Sequence, residues 1–134
     1  MAKLEPAGLL AGRLLMATIF LHEGVAKLAN YAGSAAYARA FGVPDKLLPL
    51  AIATELGCGL LIALGLFTRA AALVLAGFCL FTAAVFHSKF AEVNQLLHFE
   101  KNLAMAGGLL VLAVSGAGRF AIGRPYAGHP DSPR

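Results

Sequence analysis

Apolar residues fill four stretches of this chain, and polar residues gather between them. The stretches run from about Pro6 to Ala29, Leu47 to Phe67, Ala70 to His87 and Leu97 to Ser115. A helix that crosses a bilayer needs about 20 residues at about 1.5 Å rise each, so each stretch is long enough to span. Pro6 suits a first helical turn, where a missing N–H does no harm. Gly116 and Gly118 mark a stop after the fourth stretch.

The connections differ in length. Little more than Leu66-Phe67-Thr68-Arg69 joins the second and third stretches, which predicts a tight antiparallel hairpin. The link after the first stretch is longer. Ser34 reads as an N-cap and Gly42 as a stop with Pro44 behind it, which predicts a short helix over residues 34–41. Tyr37 and Phe41 on one side of it suit a membrane interface. Residues 88–96 form the other loop on that side, and the Pro- and Gly-rich tail 119–134 is expected to fray. The expected fold is therefore an all-α membrane protein of one domain, residues 1–134. It is a four-transmembrane-helix bundle with a short interfacial helix between the first and second spans.

Composition agrees. The 134 residues are 59% hydrophobic and only 13% charged, where a soluble domain carries about 25% charged residues. A soluble helical bundle would need polar outer faces that these stretches lack. The net charge of +4 is spread over loops and helix ends, with no basic stripe and no nucleic-acid module. It reads as topology control and contact with membrane lipids. The first stretch holds Arg13, His22, Glu23 and Lys27 and has no A-x-A site, so it is expected to be retained as a span. Lys3, Arg69, Arg119, Arg124 and Arg134 lie on the side of the termini and the tight turn, against Arg39, Lys46 and Lys89 opposite. Five against three places both termini in the cytoplasm of a bacterial inner membrane.

Against this apolar background, Glu55 is the one charged residue between Leu47 and Phe67. A charge within a span costs roughly 2.5–3.5 kcal/mol on insertion scales, so it needs a partner, a proton or a water-lined cavity. Counting rises puts Glu55 roughly 12 Å and Glu23 roughly 10 Å below the outer surface. Lys27 is one turn from Glu23, and Arg13 shares their helical face. His87 ends the third span on that side, and His98, Glu100, Lys101 and Asn102 enter the fourth. Glu23, Lys27, Glu55, His87, Glu100, Lys101 and Asn102 thus converge on the outer half and must face inward. Arg13 and Arg69 are left as structural charges of the inner half. Glu23 has Lys27 or Lys101 as partners, and Glu55 has Arg13, Lys27 or His87; the spacing does not choose.

Two uses of this cluster compete. Buried ion pairs can simply fix helix register. The alternative is a polar pocket for a quinone-like amphiphile, gated by the Tyr37/Phe41 helix, in which Lys and His donate to a carbonyl oxygen and a carboxyl relays a proton. Cys58 and Cys79 lie at similar depth but form no C-x-x-C motif and read as small hydrophobes. No metal-ligand spacing, haem site, nucleophilic triad or phosphate loop is present, so no intrinsic cofactor is expected.

Several segments resemble the DoxX family of small bacterial membrane proteins. They are "GRLLMATIFLHEGVAKL" from Gly12, "ATELGCGLLIALGLFTRAAAL" from Ala53, "FHSKF" from Phe86, "FEKNLAMAGGLL" from Phe99 and the closing "GAGRFAI". The resemblance implies a four-helix bundle in the inner membrane. One branch of the family is similar to a subunit of thiosulfate:quinone oxidoreductase, and other members are linked to quinone or thiol stress. By analogy the expected role is a component of a quinone-linked redox or stress-response process. A redox partner subunit would supply the electron carrier, because no flavin, haem or iron–sulfur motif is present. Whether the chain is itself an enzyme stays open. The alternatives are a non-catalytic scaffold and a small-molecule transporter, which at this size requires a homo-oligomer.

Overall fold

The computed structural model describes residues 5–122. They form five α-helices: α1 (Glu5–Ala29), α2 (Tyr31–Ala40), α3 (Leu48–Leu64), α4 (Thr68–Phe86) and α5 (Val93–Ser115). A single 3₁₀ turn, Asp45–Leu47, leads into α3. Four of these elements are long and apolar enough to cross a membrane: α1, α4, α5, and α3 with its leading turn. At most 33% of the most apolar window of any of the four is buried by the protein itself. The uncovered faces carry Leu15, Leu60, Val74, Val111 and Val114. Such faces belong in lipid, since water would leave a large apolar surface unshielded.

Several helix ends depart from the sequence expectation, each for a local reason. The interfacial helix starts at Tyr31 rather than residue 34, because Asn30 instead of Ser34 is the N-cap and its side chain accepts from the Gly33 N–H at 3.3 Å. α3 stops at Leu64, three residues before the expected end. Gly65 takes a left-handed φ of 77°, its N–H donates to Ile62 O, and the Leu66 N–H donates to Leu61 O. This double closure is a Schellman motif and ends the helix firmly. Phe67 is also left-handed, at φ 45°, and the turn holds it there at a cost of roughly 1–2 kcal/mol. α4 accordingly starts at Thr68, and α5 starts at Val93, four residues earlier than expected. The tail expected from residue 119 onward lies outside the described residues beyond Ile122.

The helices pack as two close pairs, α1 with α3 and α4 with α5. Small residues make this possible. A Cβ on Gly24 would lie 2.7 Å from Leu56 Cδ2, and one on Gly59 would lie 3.2 Å from Leu21 Cδ2, so two glycines let α1 and α3 approach. Ala71, Ala72 and Ala76 of α4 meet Ala106 and Ala113 of α5 around the fully buried Leu75, Leu109 and Ile62. The two pairs are joined at the α3–α4 turn, and α1 meets α5 where Met16 reaches Gly108. Toward the α2 end they part.

Arg13 closes the turn end. It is 3% exposed. Its Nη1 donates to Ala117 O at 2.7 Å and its Nη2 donates to Phe120 O, while the Ile122 N–H donates to Leu64 O at 3.0 Å. The chain after α5 is thereby folded under the bundle. Arg69 lies against Gly116, at the C-terminus of α5, where a cation complements the helix dipole.

Candidate functional site

A cavity of about 900 Å³ occupies the space where the two helix pairs part. All five helices line it, and α2 lies across its end. Tyr37 stacks on Phe86 with ring centroids 5.6 Å apart, and Phe41 meets both rings at 4.9 and 5.4 Å. This aromatic trio pins α2 to the end of α4. An ion pair between Arg39 and Asp45 at 2.5 Å ties α2 to the turn before α3; both side chains are about half exposed, so it contributes little. Leu50 of α3 and Phe81 of α4 line the cavity and are both exposed.

The charged floor lies between α1 and α3. Lys27 Nζ is 2.9 Å from Glu55 Oε1 and 3.3 Å from Glu23 Oε2. Gly24 sits between Glu23 and Lys27, and a Cβ there would be 3.4 Å from that of Glu55. That close approach lets a side chain of α1 reach a carboxylate on α3. Glu55 is 3% exposed, and its Oε2 has no hydrogen-bond partner among the described residues. Lys27, by contrast, bonds both carboxylates. A longer contact, 3.5 Å, runs to the backbone Glu23 O.

The opposite wall comes from α4 and α5. Asn102 is buried, donates to His98 O at 2.9 Å, and accepts from Thr82 Oγ1 at 3.3 Å. The His87 ring bonds Gln95 Oε1 at 2.8 Å, and its centroid is 5.1 Å from that of His98. Lys101 lines the same cavity and makes no ion pair among the described residues.

Six of the seven residues expected to converge therefore do line one cavity: Glu23, Lys27, Glu55, His87, Lys101 and Asn102. Glu100 does not; it is exposed on α5 and outside the cavity lining. Arg13 does not reach Glu55 either. Ten residues separate it from Glu23, about 15 Å along the helix, and its guanidinium is spent on the carbonyls at the far end. Thr82, Gln95 and the Phe86 stack were not anticipated. Thr82 could have been noticed as a hydroxyl in an otherwise apolar span, but its pairing with Asn102 leaves no mark in spacing. Both cysteines are free. Cys79 lies in the core and lines the cavity, while Cys58 packs on the core from α3. Among the described residues no group of side chains could hold a metal ion.

A spanning four-helix bundle with a charged internal cavity is an integral membrane protein, and comparison with known proteins gives its family. Residues 8–88 match the DoxX family. The chain is 48% identical over 124 residues to inner membrane protein YqjF of Escherichia coli K12, covering 92% of this chain and 95% of that protein. It is 31% identical over 127 residues to inner membrane protein YphA of the same organism, covering 90% and 91%. No solved structure is significantly similar. The chain belongs to the DoxX family and is an integral inner-membrane protein.

Proposed function

We propose that the protein binds a quinone-type amphiphile in this cavity and serves as the membrane component of a quinone-linked redox or stress-response process. The observation that carries this reading is Glu55. A carboxylate oxygen buried without a donor is costly, by roughly 1–3 kcal/mol or more, and the residue that carries it lines a roomy cavity. The volume of about 900 Å³ is in the range of small-molecule sites, about 300–1,000 Å³, and the mix of aromatic walls with a few polar groups is typical of them. Exposure of Leu50 and Phe81 favours entry from lipid, which suits a ligand that partitions into the bilayer. In this reading electrons come from a partner subunit, because the sequence carries no flavin, haem or iron–sulfur motif. Both termini are read as cytoplasmic from the distribution of Lys and Arg.

The test uses the purified protein in lipid nanodiscs, titrated with the oxidised and reduced forms of a decyl-substituted benzoquinone. Saturable binding of at least one form, weakened in Glu55→Gln, is expected. Absence of binding to both, together with Glu55→Gln leaving resistance to quinone stress unchanged in cells, would remove the reading. The scaffold reading draws on a different observation, the mutual pairing of Lys27 with both carboxylates. If that pairing is the whole role, neutralising both partners together leaves the cellular phenotype intact.

A further inference from the structure

The proposal above leaves open which wall of the cavity receives the ligand's head and which way round that head lies. We infer that Lys101 holds the acceptor oxygen of the head group, so that the cavity takes an amphiphile bearing a carbonyl-type oxygen and turns that oxygen toward α5 rather than toward the Lys27 floor. This rests on reading the cavity as a ligand site.

Charge is divided unevenly across the cavity. The floor between α1 and α3 carries two carboxylates, Glu23 and Glu55, against one ammonium, Lys27, which bonds both. An oxygen with partial negative charge that approaches Lys27 is attracted by the ammonium and repelled by the two carboxylates beside it. Lys101 is differently placed. It is exposed, lines the opposite wall, and makes no ion pair among the described residues. Glu100, the carboxylate next to it in sequence, lies outside the cavity lining and does not pair with it. An ionised group within a spanning helix is costly without a partner, and an ammonium has three hydrogens to give and no lone pair to receive with. An acceptor oxygen on the ligand supplies the partner that the protein does not, whereas a cationic head would be repelled. His98, one turn before Lys101 on the same helix face, and His87, with its ring 5.1 Å from that of His98, line the same wall. Two carboxylates sharing one cation on one side and an unpaired cation on the other set up a field that aligns a dipolar head with its oxygen at α5.

The test compares 4-nonylacetophenone with 4-nonyl-isopropenylbenzene, in which a CH₂ of similar shape replaces the ketone oxygen. Both are titrated calorimetrically against the full chain in nanodiscs, each referenced to its partition into protein-free nanodiscs. A hydrogen bond from a charged donor predicts that the ketone binds the wild-type chain about tenfold or more tighter than the alkene. In Lys101→Met the preference falls below about threefold, and in Lys101→Arg, which keeps a charged donor, it stays above that. Equal binding of the two probes to the wild-type chain overturns the inference while leaving the ligand site standing. A tenfold preference that survives Lys101→Met overturns it as well, since another donor then holds the oxygen. Binding of neither probe removes the ligand site itself. Should Lys101→Met fail to fold, the wild-type ratio and a Lys101→Gln variant decide in its place, the latter expected to bind the ketone with a preference below about threefold.

Discussion

The two ends of the Lys27–Glu55 pair are not equally dependent on it, and this asymmetry can be measured. Removing Lys27 with Lys27→Met leaves the Glu55 carboxylate, whose side chain is 5% exposed, with no donor for either oxygen. A buried charge stripped of its partner costs about 3–5 kcal/mol, and we expect the low end, about 3 kcal/mol, because the cavity admits some solvent. Removing the charge with Glu55→Gln is milder. The amide oxygen can still accept from Lys27, and Lys27 keeps Glu23, whose side chain is 46% exposed and needs no rescue. About 1 kcal/mol is expected for the weakened hydrogen bond. The double variant has no buried charge at this site and lies within about 1 kcal/mol of the single Glu55→Gln change, giving a coupling of about 2–4 kcal/mol. The assay follows thiol labelling of Cys79, which is 1% exposed, during detergent-induced unfolding in a Cys58→Ser background. Equal costs for the two single variants would refute the reasoning. So would a coupling near 0.6 kcal/mol, the size of an ordinary interhelical hydrogen bond in a bilayer.

Three further outcomes follow from the same geometry. Gly24→Ala pushes α1 from Leu56 and loses about 1–2 kcal/mol by the same labelling assay, whereas Gly57→Ala, with nothing within 4 Å of its new methyl, is neutral or slightly stabilising. Arg13→Met releases the segment after α5, and hydrogen exchange at the Ile122 N–H rises about tenfold or more; Arg13→Lys does not restore protection, because one ammonium cannot replace a fork that holds two carbonyls. With the native cysteines removed, a membrane-impermeant maleimide applied to intact cells labels Ser88→Cys and not Phe67→Cys if both termini are cytoplasmic.

The spans were legible because hydropathy is a property of each residue and sums along a helix. Glu55 was legible for the same reason, as the single charge in a long apolar run, and Glu23 with Lys27 because i,i+4 spacing fixes a shared face. What escaped the sequence involves partners without a side-chain signature. Arg13 binds backbone carbonyls of residues 117 and 120, and any residue presents the same carbonyl. Thr18 and Thr54 bond the carbonyl four residues back, as helical threonines commonly do, so nothing distinguished Thr82 as the one that also reaches another helix. Glu100 failed for a geometric reason: sharing a depth with Lys101 and Asn102 does not give it their direction, since successive residues turn by about 100°. The parting of the helix pairs, which creates the cavity, depends on where Gly24, Gly59 and the α4–α5 alanines permit close contact, and that is a property of pairs of helices.

The central claim is that the cavity beside Glu55 is a ligand site, and the most direct measurement is an experimental structure of the protein carried from its native membrane into nanodiscs with no ligand added. The account predicts a molecule in the cavity with its polar head among Glu55, His98 and Lys101 and an apolar body running toward Leu50 and Phe81. A cavity closed by its own side chains, with Oε2 taking a donor such as Lys101, would contradict it.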